Sequence, residues 1–453
     1  MAKKKYRVVD LFSGCGGISV GFNNTKRVNV VGAIDFDQDA CNTFQKNFPK
    51  TKVICGDINQ IEVSSTGFSD VDIIIGGPPC QGFSRLNYWD KDRDNDPRNE
   101  LFFQYLRFVK ELRPKAILIE NVKNILMAKD GYVPMHITNF LSEIGYTVTY
   151  QILSADDFGV PQRRPRAFFV AIQKELEQFD FSSLEKYKLP LVTVGEALSD
   201  IDSIEAYAKD LPQGTVYDLP KPMSAYQKKM QAKDRKLHNH MIYYPTPHVQ
   251  EMIIHVPEGG NWRCVPKELF KSDRNNRYTN YLRRLRRDAP SITIDTGHNV
   301  YFHPEFNRVP TIRESARLQS FPDSFIFTGN KGKQFRQVGN AVPPLLAEAL
   351  AKAIIDILDK YERQMKADKD IADKELDNLF KEYETIMDKA YEGMNKATST
   401  VSESGSKMGS NSGGTSTSYS STGNPKTGDY TTLGASIATM IAGIAGIFVS
   451  RKR

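Results

Sequence analysis

Short apolar runs rich in Val, Ile and Phe recur along this chain, separated by helical stretches, and almost every run closes on a glycine or a carboxylate. Residues 6–11 (YRVVDL) form the first, followed by Gly14, Gly16, Gly17 and a helical stretch. A second ends near Ile34 with Asp35 directly after it, and a third ends near Cys55 ahead of Gly56-Asp57. Residues 71–75 (VDIII) run into Gly76-Gly77-Pro78-Pro79-Cys80, residues 116–119 (AILI) close on Glu120-Asn121, and residues 167–172 (AFFVAI) follow. Strands alternating with helices make βαβ units, so the expectation is an α/β fold with a mostly parallel sheet. Such open sheets bind ligands at the C-terminal ends of their strands, which is where the polar residues of this pattern collect.

The regular alternation stops at about Leu189 and does not return until after Ala289; His, Arg, Lys, Tyr and Pro dominate between. This predicts a catalytic and cofactor-binding region at 1–188, a smaller irregular domain at 189–300, and a return to the first domain at 301–360. A charged amphipathic helix is expected at 361–397, where Leu376, Leu379, Phe380, Tyr383, Ile386, Met387 and Met394 keep helical spacing. Residues 398–429, rich in Ser, Thr and Gly and containing NPKTG, read as a linker, and 430–453 as an apolar segment with a basic end. The run from Tyr430 to Ser450 is long enough to span a bilayer. With 453 residues, 25% charged and 40% hydrophobic, most of the chain is globular rather than disordered or fibrous. A net charge of +7 permits a polyanionic partner without demanding one. Five cysteines without a CxxC pair argue against a disulfide framework or a cysteine-rich zinc site. Cys15, Cys41, Cys55 and Cys264 are expected as small buried residues. The start MAKKK leads straight into a strand, so no secretory signal is expected.

The strand ends carry the chemistry. Gly14, Gly16 and Gly17 either make a tight turn or admit a ligand close to the backbone. Asp35 is placed to accept hydrogen bonds from ribose hydroxyls, Phe36 to stack on a purine, and Asp57 to meet an exocyclic amine. The spaced GxGxxG of dinucleotide sites is missing, so a nucleoside cofactor without pyrophosphate is expected. Two prolines stiffen the loop that presents Cys80, a candidate nucleophile whose alternative is a small buried thiol. Glu120 is either a proton donor with a pKa raised by burial or a capping carboxylate. Arg164 and Arg166 suit a phosphate or a base carbonyl, or plain solvated surface.

DLFSGCGG, GGPPCQGFS, ENV, QRRPR, RESARLQSFP and QVGNAVPP, in this order over roughly residues 6–358, resemble the motifs of the bacterial 5-cytosine-specific DNA methyltransferases. The resemblance implies a Rossmann-like sheet that uses S-adenosyl-L-methionine, with a smaller irregular target-recognition domain. It implies Cys80 as nucleophile, Glu120 as catalytic acid, and Arg164 and Arg166 as pyrimidine contacts. Phe12, Gly14, Gly16, Asp35, Phe36, Asp57, Ile58, Pro79, Leu101 and Asn340 fall where that family holds its cofactor. It further implies double-stranded DNA as substrate, a flipped target cytosine, a monomer in catalysis, no metal, and a cognate restriction endonuclease acting without direct contact. Gln81, Ser84, Arg263, Arg283, Arg284, Arg286 and Arg287 are the candidate DNA contacts; for the arginine run the alternative is a solvated helix face. His238, His240, His248 and His255 lack metal-ligand spacing. A tRNA methyltransferase of the same family is the near alternative. The tail resembles a sortase-type sorting signal, which makes a membrane-attached or cell-wall-attached protein the third reading; otherwise the expected location is the cytoplasm, on DNA.

Overall fold

The computed structural model describes residues 4–79, 97–202, 215, 219–270, 280–296 and 301–405, with backbone alone at 97–100, 128–130, 132 and 397–405. The expected tail segment 430–453, Cys80, Gln81 and Ser84 therefore lie outside the described residues. The chain divides at Lys369/Asp370 into two units.

In the first unit, β1 (Tyr6–Leu11), β2 (Val28–Asp35), β3 (Lys52–Cys55), β4 (Ile73–Gly76) and β5 (Ala116–Val122) pair in parallel, and β6 (Tyr146–Ser154) and β7 (Pro165–Gln173) complete a seven-stranded sheet of order β3-β2-β1-β4-β5-β7-β6. β7 runs antiparallel to both β5 and β6. β4, β5 and β7 carry unbroken apolar runs because both faces are covered. Val8, Ile73, Ile75, Leu118 and Phe168 belong to one core; Val9, Ile74, Ile117, Ile119 and Phe169 belong to the other. The second core is closed by α3 (Pro97–Leu112) and α4 (Tyr132–Glu143), which contribute Tyr105, Val109, Ile137 and Leu141.

β6 was not expected. Its Thr and Gln residues alternate with Val148, Tyr150 and Ile152, and residues 150–152 are exposed, as suits a strand at the sheet's rim. Pro165 opens β7, where a missing N–H costs least.

On the first face, α1 (Gly17–Asn24) packs against the start of the final helix, α10 (Pro344–Gly405). A Cβ at Gly21 would lie 2.4 Å from the Pro344 carbonyl oxygen and 2.5 Å from the Ala347 Cβ. Gly21→Ala is therefore expected to destabilise the fold by about 1–3 kcal/mol, read as a lower thermal midpoint. An unchanged midpoint would show that the two backbones are not in fixed contact.

Residues 189–300 do not build a core wholly their own. Val194, Leu198, Leu219, Tyr226, Leu237 and Leu285 join the first sheet core, while Met252, Ile253, Val256, Val265, Leu282, Phe302 and Val309 form a separate small cluster. The seam is fastened by buried ion pairs from α8 (Ile312–Leu318), the RESARL segment. Arg317 bridges Asp200 and Asp323, and Arg308 grips both oxygens of Glu314 at 2.7 and 2.8 Å. Removing one partner of such a pair leaves an uncompensated buried charge.

The expected amphipathic helix is continuous with the helix after Asn340, so α10 runs unbroken to Gly405 and includes residues 398–405 assigned above to the linker. The cysteines also differ from expectation. Cys15 and Cys41 are buried, but Cys55 and Cys264 are exposed, because each sits at an element end rather than on a packed face.

Candidate active site at the strand ends

The C-terminal ends of β1, β2, β4 and β5 open on one cleft of about 1020 Å³. Phe12, Gly14, Asp35, Phe36, Asp57, Ile58, Pro79, Leu101 and Asn340 line it, together with Glu120, Arg164 and Arg166. Gly16 does not. It starts α1 with φ 98°, and a Cβ there would strike the Phe44 ring at 2.9 Å, so its role is to let the helix start against α2 (Gln38–Asn47).

Leaving β1, Phe12 adopts φ 57° and Gly14 φ 52°. This turn brings the Gly14 N–H to Asp35 Oδ2 at 2.7 Å, while the Asp37 N–H reaches Asp35 Oδ1 at 2.9 Å. A carboxylate can accept more than these amide bonds, and Asp35 lines the cleft. Burial raises the Asp35 pKa, and the amide bonds oppose that rise. Phe36 is 79% exposed at the cleft, a large uncovered aromatic face. Ser13 Oγ is buried, lines the cleft and has no hydrogen-bond partner among the described residues. Unused acceptors, an orphaned hydroxyl and an open ring face together fit a ligand with hydroxyls and a flat heterocycle.

The other half of the cleft is charged. Arg166 Nε lies 3.1 Å from Glu120 Oε1, and both side chains are mostly buried. Burial raises the Glu120 pKa; Arg166 and Arg164 pull it down. A Cβ on Gly77 would meet Glu120 Oε2 at 3.0 Å, so the Gly77-Pro78-Pro79 loop runs tight against this carboxylate. Asn121, which the sequence pattern left without a role, donates from Nδ2 to the Pro78 carbonyl at 2.9 Å and ties the loop to β5. Its place beside Glu120 was the available signal.

Arg164 is the less accessible of the two arginines. It donates from Nη1 to the Ile294 carbonyl at 2.9 Å and from Nη2 to the Gly339 carbonyl at 2.7 Å, and it is almost fully buried. It braces the end of the irregular region, at Ile294, and α9 (Lys331–Asn340) against the start of β7. Lys333 on α9 holds Asp37 at 2.8 Å, and exposed Arg336 adds a cation to the cleft wall. Neither was singled out from the sequence.

The arginines of the irregular region fall into different environments. Arg263 is exposed with its guanidinium 4.9 Å from the Trp262 ring centre, and Arg283 is partly exposed. Arg286 is exposed and paired with Asp288 at 2.7 Å, while Arg287 joins Asp202 at 2.8 Å and Glu305. Arg284 corrects the expectation. It is buried and donates to the carbonyls of Val256, Ile253, His303 and Phe306 and to Asn307 Oδ1, so all its donors are spent inside the small cluster.

Among the described residues, Asp202, His303 and Glu314 bring ligand-type atoms within 4.8 Å of one another. His303 Nδ1 accepts the N–H groups of Glu305 and Phe306, which leaves the Nε2 proton facing Asp202 at 3.0 Å. Arg287 and Arg308 already supply the balancing charge. The cluster reads as part of the seam's ion-pair network. His238 and His240 face Thr215 and Thr311 hydroxyls, each at 3.1 Å.

Residues 6–356 match the family model described as C-5 cytosine-specific DNA methylase. The Type II methyltransferase M.DdeI of Desulfomicrobium norvegicum is 36% identical over 373 residues, which cover 77% of this chain and 88% of that one. M1.HphI of Haemophilus parahaemolyticus is 33% identical over 351 residues, covering 77% and 86%. Among solved structures, a protein assigned as a DNA modification methyltransferase encoded within an E. coli prophage superposes with a TM-score of 0.64 at 29% identity, over 78% of this chain and all of that one. The S. pombe Dnmt2 methyltransferase gives 0.53 at 17% identity, over 78% and 99%, a likeness of fold.

Proposed function

The chain belongs to the C-5 cytosine-specific DNA methylases, and from that premise we propose how its residues divide the work of methylating cytosine in duplex DNA. The observation that carries the assignment is the convergence of Glu120, Arg166 and the Gly77-Pro78-Pro79 loop on one wall of the cleft whose other wall holds Asp35 and Phe36.

S-adenosylmethionine, the family's cofactor, supplies an electrophilic methyl group when bound. Asp35 accepts the ribose hydroxyls, Phe36 covers the adenine face, Asp57 and Ile58 meet its edge, and Ser13, Gly14, Leu101 and Asn340 close around the rest. Phe36→Ala is expected to raise the KM for the cofactor about tenfold while kcat stays nearly constant, because stacking holds ground and transition states alike. Initial rates over a range of cofactor concentrations check it; a fall in kcat with KM unchanged would move Phe36 out of the cofactor wall.

Carbon 5 of cytosine is too weak a nucleophile to accept a methyl group unaided. The Cys80 thiolate adds to carbon 6 and makes carbon 5 electron-rich. Glu120 gives a proton to ring nitrogen 3, and Arg166 stabilises the carbonyl oxygen where charge collects. Arg164 acts behind them, holding β7 and α9 in register. After methyl transfer a base takes the carbon 5 proton, the Cys80 thiolate leaves carbon 6, and ring nitrogen 3 returns its proton to Glu120. Carbon 6 is unreachable inside a duplex, so the base is flipped into the cleft. No step calls for a metal ion.

Residues 189–300 serve as the target-recognition region, with Arg263, Arg283 and Arg286 facing DNA and Arg284 and Arg287 as its framework. The relatives' shared designation, Type II methyltransferase, fits the modification half of a restriction–modification system acting in the cytoplasm. Among the described residues no helix is long and apolar enough to cross a membrane. Expressing the gene in a host without cytosine methylation and mapping 5-methylcytosine across its genome tests the whole reading. The expected result is methylation confined to one short sequence; unmethylated DNA alongside methylated tRNA would overturn it.

A further inference from the structure

The second half of α10 is a solvated helix with an apolar stripe. The last residue that packs on the sheet core is Tyr361. Beyond it Phe380, Tyr383 and Ile386, which share one helix face, are each 39% exposed or more, while Ile371 and Tyr391 stand off that face. Exposed apolar side chains aligned along one face of a helix mark a surface meant to be covered.

The spacing identifies what kind of surface it is. Ala372, Leu376, Leu379, Tyr383, Ile386 and Ala390 follow one another in alternating steps of four and three residues, the seam of a coiled coil. Residues just before each three-residue step flank one side of the seam, and those just after it flank the other. On the first side Glu375 and Glu382 are followed by Lys389; on the second lie Asp373, Phe380 and Met387.

We propose that this stripe pairs two copies of the chain through an antiparallel coiled coil centred near Lys381. In that arrangement Leu376 faces Ile386 of the second copy, Leu379 faces Tyr383, and Ala372 faces Ala390, so large meets large and small meets small. Glu375 faces Lys389 of the second copy, twice by symmetry, and Phe380 meets its own counterpart on the apolar flank. A parallel pair places Glu375 beside Phe380 and Glu382 beside Met387, with no ion pair and Tyr383 stacked against Tyr383. Charge complementarity therefore selects the antiparallel partner, and that partner is this same helix. Two features work against the pairing: Glu382 sits close to Glu382 on the twofold axis, and Asp373 falls opposite Met387.

Sedimentation velocity of the full-length chain over the micromolar range tests the pairing. The wild type is expected to show a concentration-dependent dimer. Glu375→Lys and Lys389→Glu, each creating two like-charge contacts, should each weaken it about tenfold, and the double variant should restore it. Glu382→Gln should tighten it. Methyl transfer per chain is expected to be the same for all four, since none of these residues lines the cleft. A chain that stays monomeric throughout, single reversals without effect, or a double variant that does not recover would each overturn the proposal.

Discussion

Cys80→Ser is expected to abolish methyl transfer, a loss of more than about 10⁴-fold, while cofactor binding stays close to that of the wild type. The reason is acidity. A thiol ionises near neutral pH and a serine hydroxyl does not, so the attacking anion is missing and carbon 5 is never activated. Cofactor affinity measured by calorimetry separates this from a damaged cleft, because Asp35 and Phe36 belong to β2 and the turn after it, whereas Cys80 belongs to the segment that follows β4. The substitution is needed because labelling with thiol reagents cannot decide the matter: Cys55 and Cys264 are exposed and will react as well. Cys264→Ser serves as the control and should leave turnover intact. A second readout uses duplex DNA with 5-fluorocytosine at the target. Fluorine cannot leave as a cation, so the elimination stalls and the protein stays joined to DNA through Cys80. Substantial turnover by the serine variant, or an adduct mapped to another residue, would remove Cys80 from its role.

The gathering of Asp35, Asp57 and Glu120 at the strand ends was readable in the sequence because its signal is local. Asp35, Asp57 and Glu120 each follow an apolar run, and a parallel sheet must bring such ends to one edge. The cleft wall formed by α9 was harder to anticipate. Lys333 meets Asp37 across 296 residues of sequence, and Arg164 meets Gly339 across 175, so nothing local announces either contact. β6 escaped notice because a rim strand needs only one apolar face, and Thr and Gln on the other resemble a loop. The arginines of the 281–287 segment show the same limit in another form. Their sequence is uniform, yet Arg284 is buried beneath five acceptors while Arg286 stands in solvent. Composition identified a basic surface, and only the packing of the small cluster around Phe302 decides which cations belong to it.

Glu120→Gln separates the carboxyl's two capacities, and its expected effect is a fall in kcat of about 10²–10⁴-fold. The amide keeps the shape and can still donate a hydrogen bond to ring nitrogen 3, but it has no proton to give up. The pH profile is the sharper reading. Burial raises the Glu120 pKa above that of a free side chain, and the two arginines limit the rise. The acid form, which is the working form, is therefore complete at low pH and is lost as pH climbs through the raised value. The thiol of Cys80 works in the opposite sense, gaining its anion as pH climbs. The wild type should accordingly show a rising and a falling limb, and Glu120→Gln should lose the falling one. Arg166→Met adds a directional check. Removing the cation 3.1 Å from Glu120 takes away the largest opposing influence, so the falling limb should shift to higher pH even as kcat drops through the lost contact to the base carbonyl. A falling limb that persists unchanged in the Gln variant, or that moves to lower pH in the Met variant, would show that another group supplies the proton.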